Sequence, residues 1–254
     1  MIGEVRAIPV TGIGEVKAGD SLVEMILAAL NRQRRKLAAG DILVVTHKVV
    51  SKAEGRIVPL GSVRPAASTR RWARRHRRDA RLVELVLRES RRIVRRRSGI
   101  LITETRHSRR GLVCANGGVD LSNVDGGRSA ALLPRDPDRS AARLHRAIRK
   151  KTGLFVPVLV TDSFGRPWRE GLTEVTIGSA GLGVFRDLRG ERDPYGYRLR
   201  TTREAVADEL AGLAGLACGK LSRNPVCIIR GFPYQEGLDR ARDLIRAPGH
   251  DLFR

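Results

Sequence analysis

The sequence predicts an α+β fold with mixed sheets and helices. Two patterns carry this reading. Short β-branched apolar runs read as buried strands, and longer stretches with helical spacing of apolar residues lie between them. The strands are not spaced regularly enough to argue a doubly wound parallel sheet. With 254 residues, 41% of them hydrophobic, the chain is long enough for a substantial core or for two modest domains.

The elements follow in order. Ser21 to Leu30 opens with Ser-x-x-Glu (Ser21, Glu24), a capping-box pattern that starts a helix. Ile42 to Thr46 follows a Gly-Asp turn and reads as a buried strand. Asp79 to Val94 places Leu82, Leu85, Val86, Ile93 and Val94 on one stripe with arginines opposite, so a helix is expected over that whole span. Ile100 to Thr105 is a second strand. Asp136-Pro137 supplies a cap and a first-turn proline ahead of Ala141, Leu144 and Ile148, and Gly153 ends that helix. Val156 to Val160 and Val226 to Ile229 are further strands, with Pro157 expected at an edge or a strand start. Between the last two strands, Glu204 to Ala217 is a helix stopped by Gly219. A boundary is expected in the Gly-rich turn near Gly126-Gly127 or near Pro134.

Composition excludes several classes. Three cysteines, Cys114, Cys218 and Cys227, form no CxxC pair and are odd in number, so neither a disulfide framework nor a zinc site is expected. They read as small buried side chains in a reducing compartment. The N-terminal stretch carries Glu4 and Arg6 within its apolar residues and is not a signal peptide. No run of about 18 apolar residues exists, so no membrane role is expected and a cytoplasmic location is. The formal charge of +22 attracts polyanions such as nucleotides or nucleic acid. Much of it lies in residues 64–110, which hold 17 arginines against 4 acidic residues.

Four polar clusters interrupt the apolar pattern. Thr11-Gly-Ile-Gly-Glu15 is a turn that exposes backbone N–H groups to an anion, although an ordinary turn has the same composition, and no Gly-Lys-Ser/Thr phosphate loop exists in the chain. His47-Lys48 and Ser51-Lys52-Ala-Glu54-Gly55-Arg56 follow the Ile42 strand, and strand ends are where sites in α/β-type proteins gather. Its two lysines suit phosphate oxygens, against the plainer reading of a solvated loop. Asn116-Gly-Gly-Val-Asp120 and Ser122-Asn123-Val-Asp125-Gly-Gly127 form a loop able to position oxygen ligands for Mg²⁺ or Mn²⁺, or simply an Asx-turn loop. Thr161-Asp162-Ser163-Phe-Gly165-Arg166-Pro-Trp168-Arg169-Glu170-Gly171 pairs a carboxylate with a hydroxyl, and adds arginines suited to phosphoryl charge. Trp168 reads as core or as a stacking face.

Taken in this order, the clusters resemble the coenzyme F420-0:γ-glutamyl ligases. The resemblance is carried by Gly40-Asp-Ile-Leu-Val-Val-Thr46, Val50-Ser-Lys-Ala-Glu-Gly-Arg56, Cys114-Ala-Asn116, Val119-Asp120, Ser122-Asn123-Val124, Leu132-Leu-Pro134, Asp162, Gly165-Arg166, Ala205-Val-Ala-Asp-Glu209 and Val226 to Gly231. It implies the family's γ-glutamyl ligase-type fold of two intimately associated subdomains over residues 1–235, in the stand-alone form. Residues 236–254 match nothing in the pattern. The implied reaction uses GTP to phosphorylate the terminal carboxylate of coenzyme F420-0. The amine of L-glutamate then attacks the acyl phosphate, an amide forms, and GDP and phosphate leave. Mg²⁺ or Mn²⁺ is implied, with a response to K⁺ and a homodimer. By motif position, Asp120 and Asp162 are implied metal ligands, with Ser163 near a second metal and Arg166 among the catalytic groups. Thr11, Gly12, Ile13, Gly14, His47, Lys48, Lys52 and Asn123 are implied nucleotide contacts. The chain departs from the pattern at Ser163, where threonine is common, at Gly14, where proline is usual, and at Gly117, where alanine is. Gly219 to Pro225 lacks a frequent Asp-Gly.

Two other readings compete. The same chemistry on another acyl acceptor leaves these motifs unchanged. A nucleic-acid-binding protein is suggested by residues 64–110, but that segment has little aromatic interleaving and no recognition-module signature.

Overall fold

The structure, a computed structural model, describes residues 3–107 and 110–251; Met1, Ile2, Ser108, Arg109 and the last three residues of the C-terminal segment lie outside the described residues. In chain order the elements are β1 (Arg6–Pro9), α1 (Leu22–Arg32), β2 (Ile42–Thr46), α2 (His47–Ala53), β3 (Ile57–Pro59), α3 (Ala67–Arg75), α4 (Ala80–Glu89), β4 (Ser90–Arg97), β5 (Ile100–Thr105) and β6 (Val113–Ala115). They continue with β7 (Ser129–Ala131), α5 (Pro137–Thr152), β8 (Val158–Arg166), β9 (Arg169–Ala180), β10 (Arg186–Asp187), β11 (Arg203–Glu204), α6 (Val206–Cys218) and β12 (Val226–Arg230). The class is α+β, as the sequence predicts.

The principal sheet has five strands in the order β1-β12-β2-β8-β9. Only β2 and β8 run parallel, with Thr46 opposite Thr161; the other pairs are antiparallel. Side-chain alternation divides this sheet between two cores. Leu43, Val45, Val158, Val160, Val226 and Ile228 face α1 and α5, where Ile26, Leu30 and Ile148 are fully buried. Ile42, Val44, Leu159, Cys227 and Ile229 face α6 through Val206, Leu210 and Ala214. Each large side chain in these layers contributes about 1.5–3 kcal/mol relative to exposure. Because both faces are covered, β2 is apolar from Ile42 to Val45 and β12 from Val226 to Ile229, which is why they read as strands in the sequence.

Helix ends follow the expected chemistry. The Ser21 hydroxyl accepts the Glu24 N–H at the start of α1, and Asp136 accepts the Arg139 N–H ahead of α5. Gly153 closes α5 in the left-handed region. Pro157 immediately precedes β8, where its missing N–H costs no ladder bond.

Residues 57–131 build smaller layers. β3 pairs with β7, and β4, β5 and β6 form a separate three-stranded sheet packed near α3 and α4. Here one expectation is corrected. The helix over Asp79–Val94 stops at Glu89, and the chain turns into strand β4. The Ser90 hydroxyl donates to the Val86 carbonyl at 2.5 Å, and β-branched Ile93 pairs with Thr103 in the β4–β5 ladder, with Val94 at the register shift that follows. Helical spacing from Val86 reaches Ile93 by coincidence, so periodicity alone could not mark the change.

The C-terminal segment is tied to the core. The Asp138 carboxylate accepts N–H bonds from Ser179 at 3.0 Å and Ala241 at 2.8 Å, joining α5, β9 and the segment after β12. Among the described residues no helix is long and apolar enough to cross a membrane.

Candidate active site

A cavity of about 1090 Å³ opens where the C-terminal ends of the parallel pair β2 and β8 meet α6 and the loops before α1 and β7. Its wall brings together residues from all four polar clusters: Ile13 and Gly14; His47, Lys48 and Lys52; Asp120 and Asn123; and Asp162 and Ser163. These are distant in sequence and meet because β2 and β8 are adjacent and parallel, so both deliver their polar ends to one edge.

The His47 cluster is a helix, not a solvated loop. α2 starts directly after Thr46, so Lys48 and Lys52 stand one turn apart on the same face. The Lys48 ammonium donates to Asp120 Oδ2 at 2.7 Å and to Ser122 Oγ at 2.6 Å. Lys52 pairs with Glu15. His47 is 2% exposed; its Nδ1 lies 3.4 Å from Ser51 Oγ. Its Nε2 approaches Asp162 Oδ1 to 3.2 Å but lacks hydrogen-bond alignment, which leaves a buried nitrogen without a partner beside a carboxylate.

Asp120 is held rigidly. Its backbone exchanges both hydrogen bonds with Ala131, at 3.0 and 2.8 Å, and its Oδ1 accepts the Ser122 N–H at 2.7 Å. Burial pushes the Asp120 carboxyl up, but Lys48 and Ser122 outweigh it and hold it below the usual carboxylate range. Asn123 adopts φ 57°, a left-handed conformation that asparagine tolerates, at the cavity wall.

Asp162 and Ser163 lie within β8, not after it. The strand runs past its expected end at Val160 and forms a long hairpin with β9. A register shift between Val160 and Thr161 separates the core-packed half of the hairpin from the polar half. Such irregularities re-aim side chains beside active sites. The Ser163 N–H donates to Asp162 Oδ1 at 2.8 Å, and the Ser163 hydroxyl donates to Glu174, its cross-strand partner.

Not every expected residue reaches the cavity wall. Arg166 sits near the hairpin tip, where it donates to the Glu170 carbonyl at 3.0 Å. Thr11 and Gly12 face the other way, their carbonyls accepting from Gln33 at 2.9 Å and Arg32 at 2.8 Å. Trp168 is 80% exposed at the hairpin turn and is not core. Conversely, Glu174, Gly215, Lys220 and Arg223 line the cavity without a sequence signal that singled them out. A hairpin register carried from the Arg166–Arg169 pair would have placed Leu172 opposite Ser163; the register shift between Gly165 and Arg166 puts Glu174 there instead.

All three cysteines are buried. Burial, with the charge of Asp162 nearby, pushes the Cys114 thiol up to about 12, which removes it as a nucleophile at neutral pH. Cys218 and Cys227 line the apolar floor of the cavity.

The donor set is therefore two carboxylates, a hydroxyl and a third carboxylate, flanked by two ammonium groups. Among the described residues no three or more His, Cys, Asp or Glu side chains are grouped so as to hold a metal ion by themselves. Hard oxygen donors in an open cavity suit a cation that takes its remaining ligands from water and substrate phosphates, the habit of Mg²⁺.

A model of the F420-0:Gamma-glutamyl ligase family matches residues 12–231. The coenzyme F420:L-glutamate ligase of Methanothermobacter thermautotrophicus is 45% identical over 98% of this chain and 99% of its own. That of Methanopyrus kandleri is 42% identical over 98% and 97%, and that of Methanocaldococcus jannaschii 39% identical over 85% of each chain.

Proposed function

The chain belongs to the F420-0:γ-glutamyl ligase family and is a ligase forming C–N bonds, and we propose that it joins L-glutamate to coenzyme F420-0 with GTP as phosphoryl donor. One observation carries this reading: Lys48, Lys52, Asp120, Asp162 and Ser163 share one cavity wall at the ends of β2 and β8. Phosphoryl transfer between anions depends on cations and positioning more than on a protein nucleophile.

A terminal carboxylate oxygen of the acceptor attacks the γ-phosphorus of GTP, and GDP leaves. The amine of glutamate attacks the acyl carbonyl, phosphate leaves, and the amine nitrogen loses its proton. Asp120, Asp162 and Ser163 would hold a divalent cation, Mg²⁺ or Mn²⁺, which when bound neutralises phosphoryl charge and orients the transferring group. Lys52 and the backbone of Ile13 and Gly14 face the phosphates. Lys48 keeps Asp120 ionised and fixed in place. Asn123 contributes a neutral polar contact to the nucleotide. The apolar floor beside Cys218 and Cys227 excludes water from the acyl phosphate, which would otherwise hydrolyse. Stimulation by K⁺, a homodimer and a cytoplasmic location belong to the same reading.

The test is direct. Purified protein with GTP, Mn²⁺, L-glutamate and coenzyme F420-0 is expected to yield a product heavier by one glutamyl unit, together with GDP. Absence of both product and GTP consumption would overturn the proposal. GTP consumption with a different carboxylate, but not with coenzyme F420-0, would instead assign the chemistry to another acyl acceptor.

A further inference from the structure

Glu174 lies on β9 directly across from Ser163, in the polar half of the hairpin and on the cavity wall. The Ser163 hydroxyl donates its proton to Glu174 Oε1. A serine hydroxyl has one proton to give and two lone pairs to offer. With the proton engaged by Glu174, both lone pairs remain free of that bond, and the negative charge behind the proton makes the oxygen a better donor to a cation. The fold reserves room for this carboxylate. On α6, a Cβ added at Gly215 would meet Glu174 Cγ at 2.4 Å and Glu174 Cβ at 3.3 Å, so α6 must present a bare backbone where Glu174 passes. Gly215 lies inside the helix, where glycine is disfavoured by about 1 kcal/mol relative to alanine. The close approach gives that otherwise unfavourable residue a purpose.

We propose that Glu174 is a positioning residue that fixes the Ser163 hydroxyl as a cation donor and thereby raises the affinity of the cavity for a divalent metal ion. This rests on the metal-dependent ligase reading above. Glu174 acts through Ser163, as the outer partners of metal ligands do; loss of such a partner weakens metal binding about 10–100-fold.

The experiment measures Mn²⁺ binding to the full chain by electron paramagnetic resonance of the free ion, with no substrate present. Glu174→Ala is expected to weaken binding about 10–100-fold. Glu174→Gln is expected to fall between the unsubstituted protein and Glu174→Ala, because its amide oxygen still accepts the hydroxyl proton but carries no negative charge. Ser163→Ala and the double variant Ser163→Ala/Glu174→Ala are expected to bind alike, the non-additivity of two residues acting as one unit. Thermal melting in chelator reports whether each variant folds. Unchanged Mn²⁺ affinity in a folded Glu174→Ala protein would overturn the inference. So would full additivity in the double variant, which would make Glu174 independent of Ser163. If the unsubstituted protein takes up no Mn²⁺ either alone or together with GDP, the metal-dependent reading itself falls, and the inference with it.

Discussion

The cavity end of the principal sheet and the arginine-rich layers around α3, α4 and β4 deal with charge in opposite ways. At the cavity, a few charged groups from distant parts of the chain meet in partly buried pairs: Lys48 with Asp120, Lys52 with Glu15, His47 beside Asp162. In the arginine-rich layers the charges are many, mostly exposed, and often satisfied by near neighbours, as in Arg81 with Asp79 and Arg88 with Glu84. Exposed pairs of that kind contribute about 0–1 kcal/mol each. Charge density thus marks a surface, whereas convergence of charge from separate elements marks a site. The largest share of the net charge of +22 lies where the least chemistry is expected.

Substitutions in three places sharpen that contrast, in descending order of effect. Asp162→Ala, and separately Asp120→Ala, should lower the rate of glutamyl addition at least about a hundredfold, the scale of losing one preorganised electrostatic partner of a transition state. Circular dichroism should show the fold intact, and near-normal turnover in both variants would remove the metal-holding role. Next is the seam between the two regions. Arg56 donates to Glu89 Oε2 at 2.5 Å and to the Leu133 carbonyl at 3.0 Å, while His107 Nε2 lies 3.0 Å from the same Glu89 oxygen. Arg56→Met leaves a mostly buried carboxylate short of its main cation and should cost about 3 kcal/mol in urea unfolding.

The pH dependence of that loss has a definite sign. Burial pushes the Glu89 carboxyl up, but His107 and Arg56 more than offset this and hold it below the usual range. A depressed carboxyl pKa stabilises the fold above the unfolded value, and that contribution is lost as pH falls through the folded one. The deficit of Arg56→Met should therefore be widest near neutrality and narrow in acid; a deficit that widens in acid would contradict the pairing. The smallest effect belongs to the surface. Replacing exposed Arg95, Arg96 and Arg97 with serine should leave turnover unchanged and stability within about 0.5 kcal/mol per site, while weakening any salt-sensitive retention on RNA. A large loss of turnover would mean that this face takes part in the reaction.

Much of the fold was legible. Strand β2 was readable because it is buried on both faces, and α1 and α5 because their caps are spelled out at Ser21 and Asp136. The α4–β4 junction was not, because a helical stripe and a β-branched run overlap at Ile93. At the site, Asp120, Asp162, Ser163 and Lys52 stood out by composition and motif. Glu174 and Gly215 did not, since a glutamate in a strand and a glycine in a helix carry no local mark of contact. Arg166 shows the converse: a residue within a dense motif can turn to its own hairpin backbone.

The sequence by itself determined the α+β class, most element positions and part of the polar inventory of the cavity, because periodicity, capping and motif composition are local properties of the chain. Tertiary structure alone decided which charges face one another. The parallel pairing of β2 with β8 sets His47 beside Asp162, the bridge to Ala131 holds Asp120 where Lys48 reaches it, and the β8–β9 register gives Ser163 its carboxylate partner. Those contacts join residues far apart in the chain, so they depend on how whole elements pack, and no local pattern of side chains encodes that.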